Sequence, residues 1–185
     1  MPDPGSLPQF PPDSTTAAPV QSNNYAGWWI RVPAFVLDGI VVAAVAVAIS
    51  SALGLHTPLD VIKLHTVNGQ QRLVPIGHKL VEYDLVKAAV GITYVAAFLS
   101  SAWQSTPFMR VWGLRVVRAD DGGAVDLRRA ALRAGAYEAM ALLAAVAPIL
   151  ALVVIVDLLW PLWDARHQTL HDKLAGTVVV STRPR

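Results

Sequence analysis

The chain is 185 residues long, 54% apolar and only 15% charged, and its 15 Lys+Arg against 13 Asp+Glu leave a net charge of +2. An ordinary soluble domain carries about 25% charged residues, so a soluble enzyme, a disordered chain and a nucleic-acid-binding module all fit this composition poorly. The absence of cysteine removes a disulfide framework, a thiolate zinc site and a cysteine nucleophile from consideration.

Residues 1–24 carry six of the 13 prolines, among Ser, Thr, Gln and Asn and without Lys or Arg. Such a stretch has little to bury and reads as a disordered tail. It lacks the basic start and short apolar core of a secretory signal, so the first apolar segment reads as a retained span. Gly39–Leu59 runs 21 residues without a charge. At 1.5 Å per residue, ~20 residues cross a hydrocarbon layer about 30 Å thick, which predicts a transmembrane helix over about 32–55.

The polar stretch that follows holds Asn68-Gly69 between Val61–Val67 and Gln70–Ile76, a hairpin signal because both turn positions tolerate positive φ. Ala88–Met109 is uncharged for 22 residues and predicts a second span over about 85–106. Its stripe of Ala89, Thr93, Ala97 and Ser101 reads as a helix-packing face. Leu114–Arg118 alternates like a strand, Asp120–Gly123 is a turn, and Asp126 is placed to cap a short basic helix ending near Arg133. Ala139–Val156 is uncharged for 18 residues and, with its flanks, makes a third apolar segment over about 134–163. Pro148 near its middle predicts either a kinked span or a re-entrant pair of half-length helices. The β-branched run Thr177–Ser181 closes the chain as a strand that would pair with Leu114–Arg118 beside Asp172. The expected architecture is an all-α membrane protein: a small bundle with two full transmembrane helices, a third Pro-kinked or re-entrant segment, and small β elements in its loops.

Basic residues set the orientation. Three simple crossings divide the Lys and Arg residues 7 to 8, whereas a third segment that turns back divides them 11 to 4. The second count puts the N-terminus, the Arg110–Arg133 loop and the C-terminal tail in the cytoplasm, in a multi-pass plasma-membrane protein. The arginine-rich loop would then meet anionic lipid headgroups rather than nucleic acid.

Arg31 and Asp38 are seven residues apart, about two helical turns, so they share a face with ~10.5 Å between them along the axis. That is too far for direct contact but compatible with one polar site. A carboxylate this deep in a span points into the bundle, as a functional or assembly group or as a structural ion pair. Glu138 and Asp157, nearer the ends of the third segment, read as interfacial carboxylates. His167 and His171 have the i, i+4 spacing of a metal pair, but Gln168 occupies the place of the general base of zinc peptidases, leaving them weak metal candidates. No Gly-x-Ser-x-Gly elbow and no phosphate-binding glycine loop occurs, so neither an enzyme nor a cofactor is expected. The six tryptophans fall at or beyond the ends of apolar runs, as interfacial anchors do.

Three stretches together resemble the RDD family of bacterial membrane proteins. They are Ala26-Gly27-Trp28-Trp29-Ile30-Arg31 continuing to Asp38-Gly39; Trp112-Gly113-Leu114-Arg115-Val116-Val117 with Asp121-Gly122-Gly123 and Leu127-Arg128-Arg129-Ala130; and Arg166-His167-Gln168-Thr169-Leu170-His171-Asp172-Lys173-Leu174-Ala175-Gly176-Thr177-Val178-Val179-Val180. The resemblance runs from about Tyr25 to the end and places the residues behind the family name on Arg31, Asp38 and Asp172. Pro107-Phe108-Met109-Arg110 departs from the Pro-Gly-Lys type of turn usual in the family. The resemblance implies architecture and location, with no settled activity. Two functions fit: a non-catalytic subunit or scaffold that docks to other membrane proteins or to itself, and a small proton or cation exchanger using Asp38 with Arg31.

Overall fold

The computed structural model describes residues 24–62, 64–67, 70–73 and 80–183; the Pro-rich tail up to residue 23 and the Asn68-Gly69 turn lie outside them. Helix α1 spans Trp28–Ala52 and buries Ala34, Asp38, Val42, Ala46 and Ser50. These are every fourth residue, one narrow stripe of small side chains interrupted only by Asp38. Among the described residues α1 is the one helix both long and apolar enough to cross a membrane. A 3-10 turn, Pro58–Ile62, leads into strands β1 (Leu64–Val67) and β2 (Gln70–Leu73). They pair antiparallel with Val67 opposite Gln70, the register that a two-residue connection imposes.

Helix α2 spans Val81–Ser100, earlier along the chain at both ends than the expected span. Its length of about 30 Å matches the hydrocarbon layer, but Glu82, Asp84 and Lys87 occupy its start, so the second full apolar span is met in length and not in apolarity. The uncharged run does not continue as helix because the backbone breaks first. Ser101 Oγ caps Phe98 O, Gln104 takes φ 52, and Pro107 opens a separate five-residue helix, α3 (Pro107–Val111). The buried face is also one position away from the expected stripe. Ala88, Gly91, Ala96 and Leu99 are buried, while Ala89, Thr93 and Ala97 face outward.

Strand β3 (Leu114–Arg118) pairs antiparallel with β4 (Thr177–Ser181), with Val116 opposite Val179, as the alternation and the β-branched run anticipate. Between them, Asp126 caps α4 by accepting from the Arg129 amide. This helix does not stop near Arg133 but continues from Leu127 to Val146. Ala147 is extended, as the residue before a proline prefers, and a 3-10 turn, Pro148–Leu150, passes into α5 (Ala151–Leu159), which packs back against α4. The third apolar segment is therefore a helical hairpin reversing at Pro148, not a kinked rod, and it returns the chain to the sheet it left. A 3-10 turn (Trp160–Leu162) and α6 (Leu170–Ala175) complete the chain before β4. The core lies at this sheet end, where Val116 and Val179 meet Ala34, Leu99, Met109 and Ala130. The outer faces of α1, α4 and α5 remain apolar and uncovered, with Ile40, Leu143 and Leu152 all more than half exposed.

Candidate functional site

Helix α6 positions Asp172, one of two acids with no exposure among the described residues. Thr169 caps it by accepting from the Asp172 amide, and the Asp172 side chain accepts from the Thr169 amide in return, a capping box. Gly176 closes the helix at φ 62, the left-handed conformation that glycine adopts without strain. The Asp172 carboxylate, wholly buried, receives Arg133 Nε at 2.7 Å and Arg31 Nη1 at 3.3 Å. Arg31 also donates to Val179 O at 3.2 Å. Burial by itself would raise the Asp172 carboxyl, but Arg133, His171 and Arg31 overcome it and hold the group well below the usual carboxylate range. One carboxylate thus ties α1, α4 and α6 together.

Asp38 makes the second knot. Tyr94 Oη donates to it at 2.6 Å, Thr106 Oγ1 at 2.5 Å, and the Phe108 amide at 3.4 Å. It fastens α1 to α2, to α3 and to the loop between them. Arg31 and Asp38 are not paired, as their separation along the helix requires; each turns to a different neighbour, and both line one cavity of about 470 Å3. Glu138 and Asp157, expected at a wet interface, are buried instead, 7% and 0% exposed. Glu138 accepts from Lys87 Nζ at 3.0 Å, and Asp157 accepts from the His171 amide at 2.9 Å and pairs with its Nδ1 at 2.7 Å. Ala130, Ala134 and Glu138 form the buried stripe of α4 at every fourth position. That spacing was the available signal for Glu138.

The two histidines do not form a helical pair, and each ring has its own partner. His167 precedes α6, with φ 52 and its Nδ1 on Pro161 O, so the i, i+4 helical spacing does not apply. His171 faces Asp157 and meets the Tyr137 ring edge-on, and Tyr137 in turn meets Phe35 across the cavity. Among the described residues no group of three His, Asp or Glu side chains converges as metal ligands.

A conformationally critical contact lies behind Glu138. A Cβ on Gly91 would stand 2.5 Å from Glu138 Oε1 and 3.2 Å from its Cδ, whereas one on Gly135 would meet nothing within 4 Å. Gly91→Ala must shift the Glu138 carboxylate, whose other oxygen holds Lys87, and because that is the end of a flexible side chain the expected loss of stability is about 0.5–1 kcal/mol, net of the better helix propensity of alanine. Gly135→Ala is expected to be neutral or stabilising. Thermal unfolding of both in mild detergent checks this; a higher midpoint for Gly91→Ala than for wild type would refute the close packing.

The pattern of the RDD family matches residues 25–176, which is most of the chain and includes all of Arg31, Asp38 and Asp172. The chain belongs to the RDD family. No curated protein and no solved structure matches it. Arg31, Asp38 and Asp172 thus lie in two separate knots beside one cavity, with Arg31 in the Asp172 knot.

Proposed function

We propose that this RDD-family protein is a non-catalytic membrane subunit, embedded in the plasma membrane with its N-terminus and the β3–β4 sheet in the cytoplasm. The carrying observation is that the buried acids Asp38 and Asp172 accept from donors within the chain on three or more elements. Such groups hold a frame together, and the uncovered apolar faces of α1, α4 and α5 are then surfaces for lipid and for neighbouring membrane proteins or a second copy. Arg110, Arg115 and Arg128 are exposed and supply the cations for anionic headgroups.

Single cysteines at positions 69, 115, 128 and 185 of this cysteine-free chain test the orientation. An impermeant thiol reagent applied to intact cells is expected to label position 69 alone. Labelling at 185 without 115 would restore three simple crossings.

The second reading is proton or cation exchange. It is favoured by Glu138 and Asp157, which join Asp38 as buried carboxylates although the run of charges along the chain makes only Asp38 look deep. Reconstituted in vesicles with an imposed pH gradient, the protein is expected not to dissipate that gradient when Na+ or K+ is added. Cation-dependent dissipation by the wild type would overturn the subunit reading.

A further inference from the structure

The cavity beside the two knots is built like a slot for an amphiphile. Helix α2 packs against both α1 and α4, and the space left between α1 and α4 is the cavity, bridged by the Phe35–Tyr137 ring contact at 5.2 Å. Along α1 it reaches from Trp28 to Ala43, which is about 22 Å at helical rise, the ~15 Å of one hydrocarbon leaflet plus the headgroup zone beside it. Its rim on α1 is apolar and open: Val36 is 50% and Ile40 58% exposed. The two carboxylates that also line it are already engaged, Asp38 by Tyr94 and Glu138 by Lys87. A space walled by apolar side chains and open to hydrocarbon fills with chains rather than water.

One end of the slot has donors to spare. Arg133 reaches Asp172 through Nε alone, and its two terminal nitrogens have no acceptor among the described residues. Arg31 Nε is buried without a partner. Asp157, the other acid at this end, has both oxygens on His171. Guanidinium groups bind phosphate oxygens well, and this end sits three residues into α1, at the depth where headgroups begin.

We propose that the cavity takes one anionic phospholipid from the leaflet at the Arg31 end, with its phosphate at Arg133 and one acyl chain lying along α1 past Val36 and Ile40. The inference rests on the membrane placement proposed above and goes beyond it, because it assigns the lipid to a specific internal site instead of to the basic surface.

The full chain, purified in mild detergent, is mixed with equal amounts of phosphatidylglycerol and phosphatidylcholine, and the retained lipid is counted by native mass spectrometry. Wild type is expected to hold one phosphatidylglycerol in preference to phosphatidylcholine. Arg133→Gln is expected to lower that preference about fivefold, the usual effect of one cation near a lipid surface. A Cβ at Gly39, which lines the cavity, meets nothing within 4 Å. Gly39→Trp therefore has room to fill the slot without touching the Arg31–Asp172–Arg133 knot, and it is expected to abolish retention. Gly135→Trp, outside the cavity, is expected to keep it. Equal uptake of the two lipids by wild type, or full retention by Gly39→Trp, overturns the proposal. So does a lipid-free disulfide dimer formed in high yield by Gly39→Cys, which would make a second copy the occupant. A chain released from membranes by alkaline carbonate would instead overturn the membrane placement itself, and a chain that stays integral yet binds neither lipid defeats only the lipid site.

Discussion

Asp172→Asn is expected to cost about 3–5 kcal/mol of folding stability at pH 7, the range for breaking a buried ion pair by removing one partner. Asparagine keeps the shape and still accepts from the Thr169 amide, so the capping box is damaged little. What disappears is the negative charge that both Arg31 and Arg133 contact, in a position with no exposure to water. Two guanidinium groups then face each other without the carboxylate that paired them. For a chain of this size the loss corresponds to a fall of roughly 10 °C in unfolding midpoint. The pH dependence has a defined sign. The Asp172 carboxyl is held below its ordinary value in the folded state, so its contribution is fully present above the unfolded value near 4 and fades as pH falls through the folded one. The gap between wild type and Asp172→Asn, measured by thermal unfolding in mild detergent, is therefore expected to be constant from about pH 5 upward and to narrow below about pH 4. A variant melting within a degree or two of wild type at pH 7 would show that Asp172 does not hold the elements together. Arg133→Gln and Asp172→Asn are also expected to combine less than additively, because each already breaks the same contact.

Residues close in sequence announced themselves, and partners far apart did not. The alternation of Leu114–Arg118, the β-branched Thr177–Ser181 run and the cap at Asp126 are local signals, and each element forms where they point. Pro148 marks the reversal of the third segment because a proline forces the preceding residue out of helical geometry. The run Ala88–Met109 misled because counting charges ignores the backbone: Ser101, Gln104 and Pro107 end the helix inside an uncharged stretch. Small residues occur on two adjacent faces of α2, so their spacing alone did not pick the face that Val42 and Glu138 pack against. His167 and His171 looked like a helical pair, yet Thr169-Leu170-His171-Asp172 already has the spacing of a capping box, which starts the helix after His167. Arg31 with Asp172, and Lys87 with Glu138, join helices through no sequence rule; only the fold brings them together.

Asp38 separates the two functional readings. Asp38→Leu is expected to cost about 3 kcal/mol, because Tyr94 Oη and Thr106 Oγ1 lose their shared acceptor in a site that water does not freely replace it. Asp38→Asn should cost much less. Its carbonyl oxygen accepts from one hydroxyl, and its amide donates to the other, whose proton rotates away. Removing the stranded donors should help: Asp38→Leu combined with Tyr94→Phe and Thr106→Val is expected to recover part of the loss, since a site with both partners apolar leaves nothing unsatisfied. This order, with wild type above Asn, Asn above the triple variant, and the triple variant above Leu, is what a knot between α1, α2 and α3 requires. Exchange chemistry requires a different one. A group that must gain and lose a proton or a cation cannot be replaced by asparagine, so both single variants would be equally inactive however well the Asn variant folds. The comparison is made on vesicles holding wild type, Asp38→Asn and Asp38→Leu at matched protein levels, with unfolding midpoints measured in parallel. If wild type moves cations against protons and the well-folded Asn variant does not, Asp38 is a working carboxylate and the frame is secondary. If the stability order holds and no variant or wild type moves ions, the buried acids of this RDD-family chain are fasteners, and its function lies on the faces they hold in place.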